Sequence, residues 1–278
     1  MMRLQVTYNT AYNYAFPARR IIQLLRVTPH SLQGQSVLDW RIDVDCDARL
    51  VQSRDGYGNI THMLYIDQPV DSLRVSVSGT VLTEDRSGIV QGLPADLPPE
   101  TFLRPTDLAK PDHALMKLVE QVSAEPSTLA RLHNLNMTIF EKMRFDAGVT
   151  NSGTTAAEAY AAGHGVCQDF SHIFIAVARS LQIPARYVSG HLFRRDGNFA
   201  QQAAHAWVEA HVEGLGWIAF DPAHGISPDE AYIRVAAGLD YRDAAPFAGA
   251  RHGGGQEDLV VDVEVKLARS QSQFQAQN

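Results

Sequence analysis

Over residues 1–90, apolar and polar side chains alternate with a period of two, which is the signature of strands with one buried face. The segments SVLDWRIDVDCD (36–47), NITHMLYI (59–66) and SLRVSVSGTVL (72–82) carry the alternation. Turn-forming stretches separate them at Gly56–Tyr57–Gly58–Asn59 and Asp67–Gln68–Pro69, so the pattern predicts an antiparallel, sandwich-like β domain. From 91 to 111 the alternation stops and five prolines follow in QGLPADLPPETFLRPTDLAKP, which predicts a linker lying along the surface. A period of 3.6 then takes over in DHALMKLVEQVS (112–123) and STLARLHNLNMTIFEKMRF (127–145). Thr155 and Glu158 form a capping box for a short helix that ends at Gly163. The run DFSHIFIAVARSL (169–181) is apolar on more than one face and is followed by Pro184, as expected of a buried helix.

Strand patterns return in ARYVSGHLF (185–193), AAHAWVEAHV (203–212), WIAF (217–220) and LVVDVEVKL (259–267), with a turn at Asp196–Gly197. The predicted class is therefore α+β. An N-terminal β domain occupies 1–90 and a linker 91–111. A second domain at 112–278 packs helices on an antiparallel sheet, and its last residues, 268–278, form a frayed tail.

Composition narrows the partners. The chain has 278 residues, 45% hydrophobic and 20% charged, with a formal net charge of −7. These values describe a soluble globular protein without the basic footprint of a nucleic-acid binder. No apolar run reaches the ~18 residues of a membrane span, and the N-terminus lacks the form of a secretory leader. The expectation is a cytoplasmic protein with no membrane or nucleic-acid partner. Its two cysteines, Cys46 and Cys167, cannot build a disulfide framework.

Cys46 lies in an alternating strand pattern with no reactive partner nearby, and packing is its expected role. Cys167 is set differently, in GHGVCQDFSH (163–172), where glycines give way to a helix. A thiolate at a helix N-terminus meets unpaired N–H groups and the positive end of the helix dipole. A packed small residue is the competing explanation, since free cysteines are commonly buried. The strand AAHAWVEAHV favours chemistry, because its alternation turns His205, Trp207 and Glu209 to one face. Asp221 closes the next strand, just before Pro222. A nucleophile, a base and a group that orients the base are the three parts required for covalent acyl chemistry.

The chain resembles the transglutaminase-like superfamily of papain-like cysteine enzymes, in particular the bacterial group with an extra N-terminal β domain. GVCQDFSH, AHAWVEAHVEGLGWIAFDP and YIRVAAGLDYRDAAPFAGARHGGG carry the resemblance, with YNTAYNYAFPARRIIQLLRVTPHSLQGQSV matching the β domain. The resemblance implies that Cys167 is the nucleophile, His205 the base and Asp221 the orienting carboxylate. It also implies catalysis through a thioester without metal or cofactor. The family usually has Thr–Asn after the aspartate, where this chain has Ala223 and His224 in FDPAHG. The backbone N–H of Cys167 is the candidate oxyanion donor, and Gln168 and Trp207 are candidates for the cleft. The substrate class implied is a peptide or protein.

Other readings compete with parts of this one. His172 is expected to pack, His211 to lie at the surface, and Asp169 to complement the helix dipole or join a polar network. Zinc on Cys167, His164 and His205 would need a further ligand at suitable spacing, which the sequence lacks. HGGG (252–255) mimics a lipase oxyanion loop, but no G-x-S-x-G elbow accompanies it, and a flexible loop is expected there. Arylamine N-acetyltransferases share a Cys–His–Asp order without these flanks, and a non-catalytic binding module would not need the whole triad. Hydrolysis is expected over cross-linking, because the chain has no calcium-loop pattern and no acidic cluster to gather amines.

Overall fold

The computed structural model describes residues 1–93, 97–197, 200–201 and 203–268. The chain opens with a 27-residue strand, β1 (Met2–Thr28), followed by β2 (Gln35–Val44), β3 (Arg49–Arg54), β4 (Ile60–Ile66), β5 (Val70–Thr83) and the short β6 (Ile89–Val90). The helical segment contains α1 (His113–Ser123), α2 (Thr128–Lys142), β7 (Arg144–Phe145), α3 (Ala156–Ala162), β8 (His164–Gly165) and α4 (Cys167–Ser180). Then come β9 (Ala185–Leu192), β10 (Ala200–Gln201), β11 (His205–Val212), β12 (Gly216–Phe220), β13 (Tyr232–Gly238), α5 (Tyr241–Ala244), β14 (Phe247–Gly253) and β15 (Glu257–Leu267).

β1 organises an eight-stranded antiparallel sheet. Its first half pairs with β5 on one edge and β15 on the other, and its second half pairs with β4 and β14. The pairing with β5 breaks between Asn13 and Ala18, where Phe16 is exposed and followed by Pro17. Both halves contribute to one core, with Leu4, Val6, Leu73 and Val77 from one side and Ile21, Leu25 and Leu64 from the other. That folding over is the sandwich-like feature.

The second sheet has the order β13-β9-β11-β12-β6, with antiparallel neighbours throughout. It lies between two cores. Tyr187, Val208, Ala210 and Phe220 join α1–α4 in one cluster, while Val188, Trp207, Ala219 and Ile233 join the first sheet in the other. β13 ends the sheet, and its bare edge is met by two amide side chains from the β domain. Gln35 donates to the Arg234 carbonyl and accepts from the Arg234 N–H, at 2.9 and 2.8 Å. Asn59 treats Ala237 the same way, at 2.7 and 2.8 Å. The amides thus complete an edge that would otherwise present unpaired backbone groups. Between the sheets, Glu209 is fully buried and takes both Arg186 and Arg234, with Nε–O distances of 2.6 and 2.8 Å.

Four sequence expectations change. LVVDVEVKL forms β15, but it pairs with β1 and β10 and not with the second sheet. The last strands therefore belong to the N-terminal sheet, and β6, from the nominal first domain, joins the second. Alternation says that a strand has one apolar face but not which core takes it, and here Val263 and Val265 fill the β-domain core. HGGG is not a free loop: His252 and Gly253 close β14 opposite Arg20 and Ala18, and the Gly254 carbonyl accepts from the Phe16 N–H at 3.1 Å. The proline-rich linker packs inward at Phe102, Leu108 and Ala109. Of the expected frayed tail, Ala268 is tied by its N–H to the Arg3 carbonyl at 2.8 Å, and 269–278 lie outside the described residues.

Candidate active site

Each residue of GHGVCQD has a local task. Gly163 ends α3 at φ 72°, a left-handed conformation that costs glycine little. His164 and Gly165 pair in parallel with Arg144 and Phe145, which delivers the chain to the start of α4. A side chain on Gly165 would put its Cβ 2.5 Å from the Asp169 carboxylate. That space is needed because Asp169 folds back over the helix start, accepting from the Val166 N–H at 2.8 Å and the Thr150 hydroxyl at 2.7 Å. Burial nevertheless pushes its carboxyl up, against the opposing effect of those bonds. Asp169 is thus part of a polar network that fixes the first turn. Cys167 opens the helix, and its N–H, as the first in the helix, has no intrahelical acceptor.

His205 is the first residue of β11 and Asp221 follows the last residue of β12. Their strands are immediate neighbours with Val208 opposite Phe220, which brings the two ends together. His205 Nε2 meets Asp221 Oδ2 at 2.7 Å, with both side chains buried. That leaves Nδ1 for the thiol. Burial works against charge on His205, but the Asp221 carboxylate and the hydrogen-bonded Cys167 prevail and push the imidazole up to about 10. Burial likewise opposes ionisation of Asp221, yet His205 and His224 hold its carboxyl well below the usual carboxylate range. Both directions favour the charged forms, a carboxylate on Asp221 and an imidazolium on His205.

Asp221 has more partners than the sequence indicated. Oδ2 also receives the Tyr232 hydroxyl at 2.8 Å and lies 2.8 Å from His224 Nδ1. Oδ1 receives the Ala223 N–H at 2.9 Å. The Tyr232 hydroxyl is pushed well above its ordinary range by burial and by Asp221, so it remains a donor. Tyr232 and His224 both fall in or beside segments resembling the family, but only the fold brings them to one oxygen.

The other candidates separate clearly. Gln168 is partly buried next to Cys167, and its amide nitrogen has no hydrogen-bond partner among the described residues. Trp207 is not a cleft residue. It is 2% exposed and packs behind the base, against the rings of His205 and Tyr232. His172 packs as expected: it is fully buried, accepts the Tyr241 N–H at Nε2 over 3.2 Å, and is pulled down to about 3 by burial and by Arg179 and Arg242. His211 is half-buried against Trp217. Cys46 lies past the end of β2, partly buried against the first core, with its thiol pushed up by burial and by Asp45 and Asp47.

Among the described residues, the cluster with ligand atoms close enough for a metal is His205, Asp221 and His224. Its convergence is accounted for by hydrogen bonds, since both imidazoles meet the same carboxylate oxygen. No helix among the described residues is long and apolar enough to cross a membrane.

Residues 116–222 match the transglutaminase-like superfamily model, and residues 4–82 match the bacterial transglutaminase-like N-terminal region. An uncharacterized protein of Mycobacterium leprae is 30% identical over 277 residues, covering 95% of this chain and 99% of that protein. The chain belongs to the transglutaminase-like superfamily. Its fold matches that of a candidate cysteine protease from Cytophaga hutchinsonii, with a TM-score of 0.79 and 23% identity, over 97% of this chain and 91% of that one. A protein-glutamine gamma-glutamyltransferase of Pseudomonas aeruginosa is 31% identical over 104 residues, covering 32% of this chain and 15% of that protein.

Proposed function

We propose that the protein is a cysteine hydrolase of peptide or protein amide bonds, with Cys167 as nucleophile, His205 as base and acid, and Asp221 as the group that orients His205. The observation that carries this reading is the buried 2.7 Å contact of His205 Nε2 with Asp221, which leaves the other ring nitrogen to Cys167 at the start of α4. The Cys167 thiolate attacks the carbonyl carbon and the carbonyl π electrons move to oxygen. The helix-start N–H groups are the available donors for that oxyanion. As the intermediate collapses, the C–N bond breaks, the amine leaves with the proton from His205, and an acyl thioester remains on Cys167. Water then attacks the thioester, giving its proton to His205. The C–S bond breaks, and the acid and the thiolate–imidazolium pair are regenerated.

The alternative is acyl transfer, in which an amine replaces water in the second half. The similarity of about a third of this chain to the P. aeruginosa glutamyltransferase favours it. The triad serves both reactions equally. Hydrolysis needs nothing beyond access of solvent to the thioester, whereas transfer needs a bound amine that outcompetes water. Incubation with a glutaminyl peptide, with and without a dansylated amine, separates them. Release of free acid or of cleaved peptide is expected to dominate, and amine incorporation that outruns it would overturn the hydrolase reading in favour of transfer.

A further inference from the structure

We propose that His224 is a positioning residue for this triad: it holds Asp221 against His205 and couples the Cys167–His205 pair to the charge of a solvent-facing imidazole. The inference rests on the catalytic reading above. His224 is placed by a tight loop built on Asp221 itself. The Asp221 carbonyl accepts from the Gly225 N–H at 2.8 Å and from the His224 N–H at 3.2 Å, and the Asp221 N–H donates to Ile226 at 2.8 Å. The Ala223 N–H closes the loop on Oδ1. Gly225 adopts φ 69°, and a Cβ there would stand 2.9 Å from the Phe140 ring, so the loop is pinned against α2 and requires glycine at that position.

The consequence is an Asp221 Oδ2 shared by His205, His224 and Tyr232, at 2.7, 2.8 and 2.8 Å. A carboxylate gripped on both oxygens cannot rotate away from His205, which is what orienting the base requires. His205 and Tyr232 are largely buried, but the His224 side chain is 46% exposed. Its ring stands edge-on to that of His205, 5.2 Å between centroids. The titratable groups that face it are Asp221 from the end of β12, His205 from β11 and, through the shared oxygen, Tyr232 from β13. Phe140 of α2, which borders the loop, is apolar.

An asparagine here would also offer an N–H to Asp221. It could not take a proton. His224 can. With its Nδ1–H on Asp221, protonation at Nε2 puts a full positive charge on the oxygen that stabilises the His205 imidazolium. The two imidazole rings then compete for one carboxylate oxygen, which loosens the hold of Asp221 on His205 and with it the placement of His205 against Cys167. Thiol reactivity is therefore expected to carry a dependence on pH that replacing His224 removes.

The test is the second-order rate of Cys167 alkylation by iodoacetamide as a function of pH, which needs no substrate. It is measured in Cys46→Ala protein with His224 intact, with His224→Asn and with His224→Ala, each checked for folding by circular dichroism. With His224 intact, the rate should fall in two steps on the acid side. His224→Asn should keep the plateau and lose one step. His224→Ala should lower the plateau about tenfold, the scale of losing one hydrogen bond to a charged group. A merely structural role would alter melting while leaving the pH profile unchanged. A paired-thiol profile that neither substitution changes overturns this inference alone, and so does an asparagine variant that keeps both steps. If the intact protein reacts like an isolated thiol, the catalytic reading falls and this inference falls with it.

Discussion

His205 and His172 are both buried in the same α+β unit, yet they are driven in opposite directions. His172 lies inside α4 with cationic Arg179 and Arg242 as its charged neighbours, and it is pulled down to about 3. His205 sits at a strand end between a carboxylate and a thiol and is pushed up to about 10. Burial acts the same way on both, disfavouring the imidazolium. The difference lies in the neighbours, two arginines beside His172 against a carboxylate and a thiol beside His205. A buried histidine is thus neutral by default, and Asp221 is the neighbour that most favours the charged form of His205.

The most severe way to break the comparison is to remove what His205 serves. Cys167→Ala should take amide turnover to background while the fold persists, because no other thiol lies beside an imidazole. Residual turnover with the same pH profile would remove Cys167 from the mechanism. Removing the anion comes next. Asp221→Asn should leave the fold cooperative and reduce kcat by about two to three orders of magnitude. That is less than the roughly four known for the serine triad, because a preformed ion pair leans less on its third member. Steady-state kinetics check this, and NMR titration of His205 should show its ionisation moving towards that of His172.

A smaller effect sharpens the contrast through stability. His172 binds its proton more weakly folded than unfolded, where a free imidazole titrates at about 6.5. As pH falls below that value the unfolded chain takes up the proton first, and stability is lost down to about 3. His205 has the opposite sign. Its stabilising contribution is complete below about 6.5 and fades as pH rises to about 10. Denaturant melts of His172→Gln, which keeps an acceptor for the Tyr241 N–H, should therefore lose less stability between neutral pH and about pH 4.5, by about 2 kcal/mol. An unchanged slope would show that His172 is not held neutral. Smallest of all, Cys46→Ala should leave turnover intact and shift stability by about 1 kcal/mol or less, because that side chain is only partly buried. Iodoacetamide at neutral pH should label Cys167 ahead of Cys46.

The three candidate residues could be picked out because each stands at a punctuated boundary. Cys167 follows two glycines and opens an apolar helix. His205 begins an alternating strand. Asp221 ends another, just before Pro222. The helices α1, α2 and α3 began where Asp112, Ser127 and Thr155 offered caps. What was not readable lies beyond local pattern. The alternation of β1 is interrupted around Phe16 and Pro17, which hid a single 27-residue strand. Trp207 shares parity with His205, but parity does not say that its side is closed by a second sheet.

The sequence by itself determined where α1, α2 and α3 start, which thiol opens a helix, and the order of Cys167, His205 and Asp221 along the chain. Those properties follow from caps, glycines and periodicity, which act over a few residues. Only the tertiary structure decided that β14 and β15 return to the first sheet, that Gln35 and Asn59 complete the edge of β13, and that three donors meet on one oxygen of Asp221. Such pairings are chosen by which buried faces and polar groups find partners across the whole chain. A buried polar group that fails to find one costs far more than any local preference can offset.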